Sequence, residues 1–381
     1  MKKIGFIGYG LRSSTMMKAF ENLEFDIRVE AVCDPRFSMI RETVAESPYF
    51  KNTHYFEDPD QMLEDCSLDG VFVGTRCSLH TEMAIKVLNA GLPLFLEKPV
   101  AITQGQYKSL REASRGKTQR VVVSFPLRLS DICMEVKHAV DSGDIGEITQ
   151  VQAINNVPYG SVYYHSWYRD EAETGGLFLQ KATHDIDYIN FLLGQKPKEV
   201  CAVKSKLYFR GDKPEGLFCK DCGEYYSCME SPYTVRHLLN EDVTGDMCCF
   251  ARDTGNEDTA SAVVIYENDV HASYSQNFLV KKAAARRGAR LIGTKGAIEF
   301  DWYTGEIRID RYRTPQTIVH RFDTKGGSHF GGDEKLALAF MDVMDGKSSI
   351  SDLEAGLVSA VTCLSAKESA ETHQFIKIPY S

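Results

Sequence analysis

The chain begins with an apolar run that opens into Gly8-Tyr9-Gly10-Leu11-Arg12-Ser13. The spacing is that of G-x-G-x-x-G with Ser13 at the third glycine, and its chemistry is phosphate binding. Gly8 permits a tight turn, Gly10 lets a pyrophosphate approach the start of the following helix, and free N–H groups with the helix dipole favour the anion. Asp34 ends the next apolar run, where a carboxylate can accept bonds from the adenosine ribose hydroxyls. An acid there repels a 2′-phosphate, so NAD is favoured over NADP, and the nearby Arg36 softens that preference. A third group, Lys98 in Glu97-Lys98-Pro99, stands at the end of a later apolar run. Partly desolvated in the crevice of a parallel sheet, such a lysine exchanges a proton near neutral pH; the alternative is a surface lysine before a proline.

Farther along, Cys219-x-x-Cys222, Cys228 and Cys248-Cys249 have the spacing of metal ligands. Cys219, Cys222, Cys228 and Cys248 (or Cys249) can surround Zn²⁺ tetrahedrally, and an Fe–S cluster fits the same spacing; free thiols or disulfides are the other readings. A metal would order a segment too poor in apolar residues to order itself. The basic run Lys281, Lys282, Arg286, Arg287, Arg290 reads as a solvated hairpin or strand edge, with contact to an acidic sugar or a neighbouring subunit as the minor alternative.

These groups must be held by elements that the apolar pattern announces. Runs at 3–9, 27–33, 70–74, 92–96 and 120–125 alternate with helical stretches such as 79–89, which implies a doubly wound parallel sheet over residues 1–125. From 126 to 381 the texture differs. After a helix at 131–141 come strands at 147–157, 200–209, 259–266, 270–278, 289–292, 297–301 and 306–311 with few helices between them, so an α+β domain with a large, open, mainly antiparallel sheet is expected. Helices at 333–344 and 353–368 pack on that body. Residues 211–258, rich in Gly, Asp and Cys, read as an insertion.

Composition narrows the classes. The 381 residues are 43% hydrophobic and 25% charged, with 44 Lys and Arg against 53 Asp and Glu, a formal net charge of −9. This acidic balance argues against a nucleic-acid partner. No stretch has the roughly 18 apolar residues of a membrane span, and the N-terminus lacks a signal-peptide apolar core, so a cytoplasmic protein with reduced thiols is expected.

Taken together, GFIGYG, the Thr75 to His80 loop, Glu97-Lys98-Pro99, Gly175-Gly176 followed by His184-Asp185-Ile186-Asp187, and the late Gly293-Thr294-Lys295-Gly296 turn resemble the glucose-fructose oxidoreductase, inositol dehydrogenase and MocA (Gfo/Idh/MocA) family. The resemblance spans nearly the whole chain outside 211–258. It implies a Rossmann domain, a C-terminal domain whose open sheet often forms oligomer contacts, and nicotinamide-dependent chemistry on sugars, inositols or related polyols. It makes Lys98 the catalytic lysine and His184 the second catalytic residue, and it lines the nucleotide with Thr75, His80 and Glu97. Arg76 and Cys77 depart from the usual Pro and Asn of that loop. At the position of Gln180 the inositol dehydrogenases carry Asp; Gln can orient a substrate but cannot exchange its proton. The adjacent Lys181 would share a helix face with His184 and add a cation or proton donor; a solvated lysine is the alternative. Trp167 and Arg169 can wall a sugar pocket, core packing of Trp167 being the alternative. Asp187 can fix the His184 tautomer or bind substrate, and His329, in the loop from Gly326 to Asp333, can reach the site or lie on the surface. The expected activity is hydride transfer between NAD and a ring carbon of a sugar, glycoside or polyol in a homo-oligomer. Alternatives are a redox-neutral NAD-dependent glycosidase or lyase, and a non-catalytic nucleotide sensor.

Overall fold

A computed structural model of the chain describes residues 1–240, 245–323 and 328–380. Six short strands, β1 (Lys2–Ile7), β2 (Ile27–Cys33), β3 (His54–Phe56), β4 (Gly70–Val73), β5 (Leu94–Leu96) and β6 (Val121–Val123), pair in parallel in the order β3-β2-β1-β4-β5-β6. This is the doubly wound arrangement expected, and its strands are runs of Val, Ile, Leu and Phe because helices cover both faces. The β3 strand went unread in the sequence because three residues at a sheet edge carry too little periodicity.

The second sheet holds β7 (Ile148–Asn156), β8 (Pro197–Ser205), β9 (Thr259–Tyr266), β10 (His271–Asn277), β11 (Arg286–Gly293), β12 (Gly296–Asp301), β13 (Glu306–Arg311), β14 (Thr317–Arg321) and β15 (Ile376–Lys377) in the order β14-β13-β12-β11-β7-β10-β9-β8-β15. All pairs are antiparallel except β7 with β10, which run parallel from Gln150 opposite His271 to Asn156 opposite Asn277. One face packs under the Thr183–Leu193 and Leu353–Thr372 helices, with Tyr188, Tyr274, Phe300 and Trp302 buried between them. On the other face the alternate residues are half-buried or exposed, Val203 and Val263 among the exposed.

One helix crosses over. Gly332–Met344, counted with the second domain in the sequence, lays Leu336, Phe340 and Val343 onto Phe6, Phe20, Phe72 and Phe95 of the first. Gly332 allows this approach, since a Cβ there would lie 2.0 Å from the Pro126 carbonyl oxygen. Among the described residues no helix is long and apolar enough to cross a membrane.

Candidate active site

The strand β1 ends in a turn that only glycine fills comfortably. Gly8 has φ of +80°, and a Cβ on it would lie 2.8 Å from the Thr75 backbone nitrogen. Ser13 replaces the third glycine without disturbing the turn, because its hydroxyl donates to the Gly8 carbonyl at 2.7 Å. The helix Leu11–Asn22 then starts at Gly10 with no side-chain cap, open space where a Gly10 Cβ would be, and Leu11 exposed. Its first N–H groups are therefore free for an anionic ligand, and the loop fits a dinucleotide pyrophosphate.

Asp34, 2% exposed, sits at the end of β2 as expected. Its carboxylate accepts from the Tyr9 and Arg36 backbone N–H groups and from the Arg36 guanidinium at 3.0 and 3.1 Å. Burial opposes its charge, but these bonds outweigh it and hold the carboxyl below its ordinary value. The Arg12 guanidinium turns inward, donating to Glu97 at 3.1 Å, to Ser124, and to Asp333 at 2.9 Å, so Arg12 and Glu97 brace the loop. His80 is likewise spent. Its ring nitrogens face the carbonyls of Pro99 and Thr75 at 2.8 and 3.2 Å, tying the loop after β4 to the loop after β5, while the Thr75 hydroxyl donates to the Arg76 carbonyl at 3.2 Å.

Lys98 follows β5, and its ammonium donates to the Gln180 carbonyl at 2.9 Å. Burial removes water from the charged form and lowers the lysine to about 8, partly opposed by Cys77 and Glu97. His184 is presented in the first turn of the 183–193 helix with Phe125 edge-on to its ring, and its Nδ1 is buried without a partner. Burial, then Lys98 and Arg287, drive its pKa well below the ordinary histidine value, so it is neutral at physiological pH. Lys181 does not share a helix with His184. It closes the separate short helix Leu177–Gln180, yet its charge is felt at Lys98, His184 and His329, so the two segments converge. Its ammonium donates to the Tyr159 hydroxyl at 2.6 Å, and the Gln180 side-chain oxygen is buried without a donor.

His329 reaches the site: its ring centroid lies 6.4 Å from that of His184, and Nδ1 is 2.8 Å from Asp333. Gly326 and Gly327 of its loop lie outside the described residues. Trp167 is stacked, with the Arg76 guanidinium 3.8 Å from its ring centre and Tyr168 at 4.0 Å on a ring-to-ring measure, which gives Arg76 a partner. Two expectations fail. Arg169 is 2% exposed and held by Asp253 at 2.6 Å, so it anchors the insertion instead of facing substrate. Asp187 points to Arg128, whose Nε donates to it at 2.8 Å, and leaves His184 Nδ1 alone.

The cysteines do gather. Cys219, Cys222, Cys228, Cys248 and Cys249 line one small cavity with Glu230. Among the described residues no group of three His, Cys, Asp or Glu side chains is disposed to hold an ion. Cys219 hydrogen-bonds with Cys248 and lies 3.6 Å from the Met247 carbonyl, while Cys249 packs with Tyr164 and Phe209, so the thiols settle into pairwise and apolar contacts. All are free.

Sequence reasoning missed Arg287 and its partner Asp185. Arg287 was read as part of a solvated edge, yet it is 5% exposed and donates to Asp185 at 2.9 Å; Asn155 and Tyr274 complete that carboxylate. Strand parity carries the signal, since Arg287 alternates with the buried Ala289 and Leu291.

Comparison with known proteins agrees with this geometry. A chain of Bacillus subtilis named "Putative oxidoreductase YteT" is 29% identical, with 88% of this chain and 87% of that protein covered. Inositol 2-dehydrogenase 2 of Saccharopolyspora erythraea is also 29% identical, over 51% of this chain and 54% of its own length. The fold matches that of a levoglucosan dehydrogenase solved with NADH and levoglucosan at 17% identity, with a TM-score of 0.78 and 99% of each chain covered. Residues 2–125 match the model of the oxidoreductase family with an NAD-binding Rossmann fold, and residues 133–299 match the family's C-terminal domain. With both halves matched in order, the chain belongs to the Gfo/Idh/MocA family of NAD-binding oxidoreductases.

Proposed function

We propose that this chain is an NAD-dependent dehydrogenase acting on a ring hydroxyl of a sugar, glycoside or polyol. The observation that carries the reading is the meeting of Lys98, lowered to about 8, with a neutral His184 whose Nδ1 is unpartnered, beside an uncapped helix start that fits a pyrophosphate. When bound, NAD supplies the hydride acceptor. The protein handles the proton: Lys98 Nζ takes it from the reacting hydroxyl, His184 Nδ1 orients that hydroxyl, and the Gln180 side-chain oxygen accepts from a neighbouring one. Asp34 supports NAD over NADP. The uncovered outer face of the second sheet supports a homo-oligomer, which light scattering on the purified protein tests.

Absorbance at 340 nm with NAD and a panel of sugars, polyols and glycosides tests the activity. NADH formation that falls roughly 10²–10⁴-fold in Lys98→Ala, with NAD still bound, is the expected outcome. The uncharged Gln180 favours one rival, redox-neutral cleavage of a glycoside; aglycone release without net NADH would replace the dehydrogenase reading with it.

A further inference from the structure

Two ammonium groups at this site have no carboxylate. Among the described residues Lys98 donates only to the Gln180 carbonyl and Lys181 only to the Tyr159 hydroxyl, with the Tyr159 and Tyr163 ring centres 4.7 and 5.8 Å from the Lys181 ammonium, which leaves further N–H groups on each without a hydrogen-bond acceptor. The surrounding acids are all engaged. Asp185 pairs with Arg287, Asp187 with Arg128, Glu97 with Arg12, and Asp333 with Arg12 and His329. Position 180 contributes an uncharged amide. Buried charge without a counter-charge is costly, and burial accordingly lowers both lysines, with Lys181 adding to the effect on Lys98 and Arg287 to that on Lys181, where Tyr159 and Asp185 pull the other way. Tyr159 reports the same field from the other side. Burial works against its phenolate, Asp185, Tyr163 and Tyr303 are the other titratable groups near it, and still Lys181 and Arg287 draw the phenol below its ordinary value.

We infer that the substrate carries a carboxylate, received by Lys181 with Arg287 behind it, so that the ring oxidised is that of a uronic acid or similar sugar acid. This rests on the dehydrogenase reading above and names its substrate class. A neutral sugar leaves the Lys181 N–H groups unanswered; a carboxylate supplies both the acceptor and the missing charge, and specificity follows from that difference.

The test compares D-glucuronate and D-galacturonate with D-glucose and D-galactose, using the full chain, NAD and constant ionic strength. The acids are expected to give kcat/KM at least about tenfold above their neutral counterparts, the scale of one charge-assisted hydrogen bond. Lys181→Met should shrink that ratio mainly through KM, and Lys181→Arg should restore it, with NAD binding confirming that both variants are folded. Equal turnover of acids and neutral sugars, or an acid preference untouched in Lys181→Met, overturns the inference while leaving the dehydrogenase standing. If no sugar yields NADH, the dehydrogenase reading fails. Thermal shift of the NAD-loaded protein then decides: a rise with uronates and not with sugars at matched NaCl sustains the carboxylate site, and no selective rise removes it.

Discussion

Lys98 owes its lowered pKa to lost water more than to any neighbour, because burial is the largest influence on it. In the proposed reaction the neutral amine is the base for oxidation, so kcat/KM for the free enzyme should climb as pH rises through about 8 and level off above it. A Lys98→Met variant should lose that limb, measured from initial rates across pH 6 to 10. His184 is held neutral and should add no limb near its ordinary value. Asp333 behaves in the opposite sense. Its bonds to His329 and Arg12 outweigh burial and keep the carboxyl far below the usual range. An acid whose folded value is depressed stabilises the fold above its unfolded value, about 3.9, and that contribution is lost as pH falls below it. Thermal midpoints between pH 6 and 3 should therefore drop less steeply in Asp333→Asn than in the natural chain, starting from a lower value.

Elements were legible where pattern and punctuation agree. The helix Asp131–Asp141 and the strands β2, β9 and β13 fall where the periodicity puts them, the helix opening on Ser130, whose hydroxyl accepts from the Cys133 N–H. The pattern fails where a charge occupies a core position. Arg287 and Asp185 satisfy each other across the interface of β11 with the 183–193 helix, and neither is apolar, so hydrophobic periodicity starts β11 three residues late. Lys98, His184 and the glycine loop were legible as residues that come near one another; the inward bonds of Arg12, Glu97 and His80 were not, because spacing says which residues come near and not which of them bond each other first. Caps are a further test. Asp352 accepts from the Ala355 N–H at 3.0 Å at the start of the Leu353–Thr372 helix. Asp352→Ala should cost about 1 kcal/mol in urea denaturation without altering the site.

At the scale of the molecule, Arg12 is the fastening between the two halves. It reaches from the glycine loop to Glu97 after β5 and to Asp333 on the helix that crosses back from the second domain. Removing it leaves two buried carboxylates without their cation. Arg12→Met is expected to cost about 3 kcal/mol and to weaken NAD binding by loosening the loop, read from chemical denaturation and from fluorescence titration with NADH.

The parallel pairing of β7 with β10 bears on how the chain is built. A hairpin cannot join parallel neighbours, so everything from Val157 to Val270, the cysteine segment and the His184 helix included, must be threaded out before the middle of the large sheet can close. On the ribosome the first sheet can assemble while β7 waits with both edges unpaired, a period of exposure to wrong partners that ends only when β10 and β11 emerge. The same topology makes the half carrying Lys98 early and the half carrying His184 late, so a nascent chain would gain its nucleotide cradle well before it could do any chemistry.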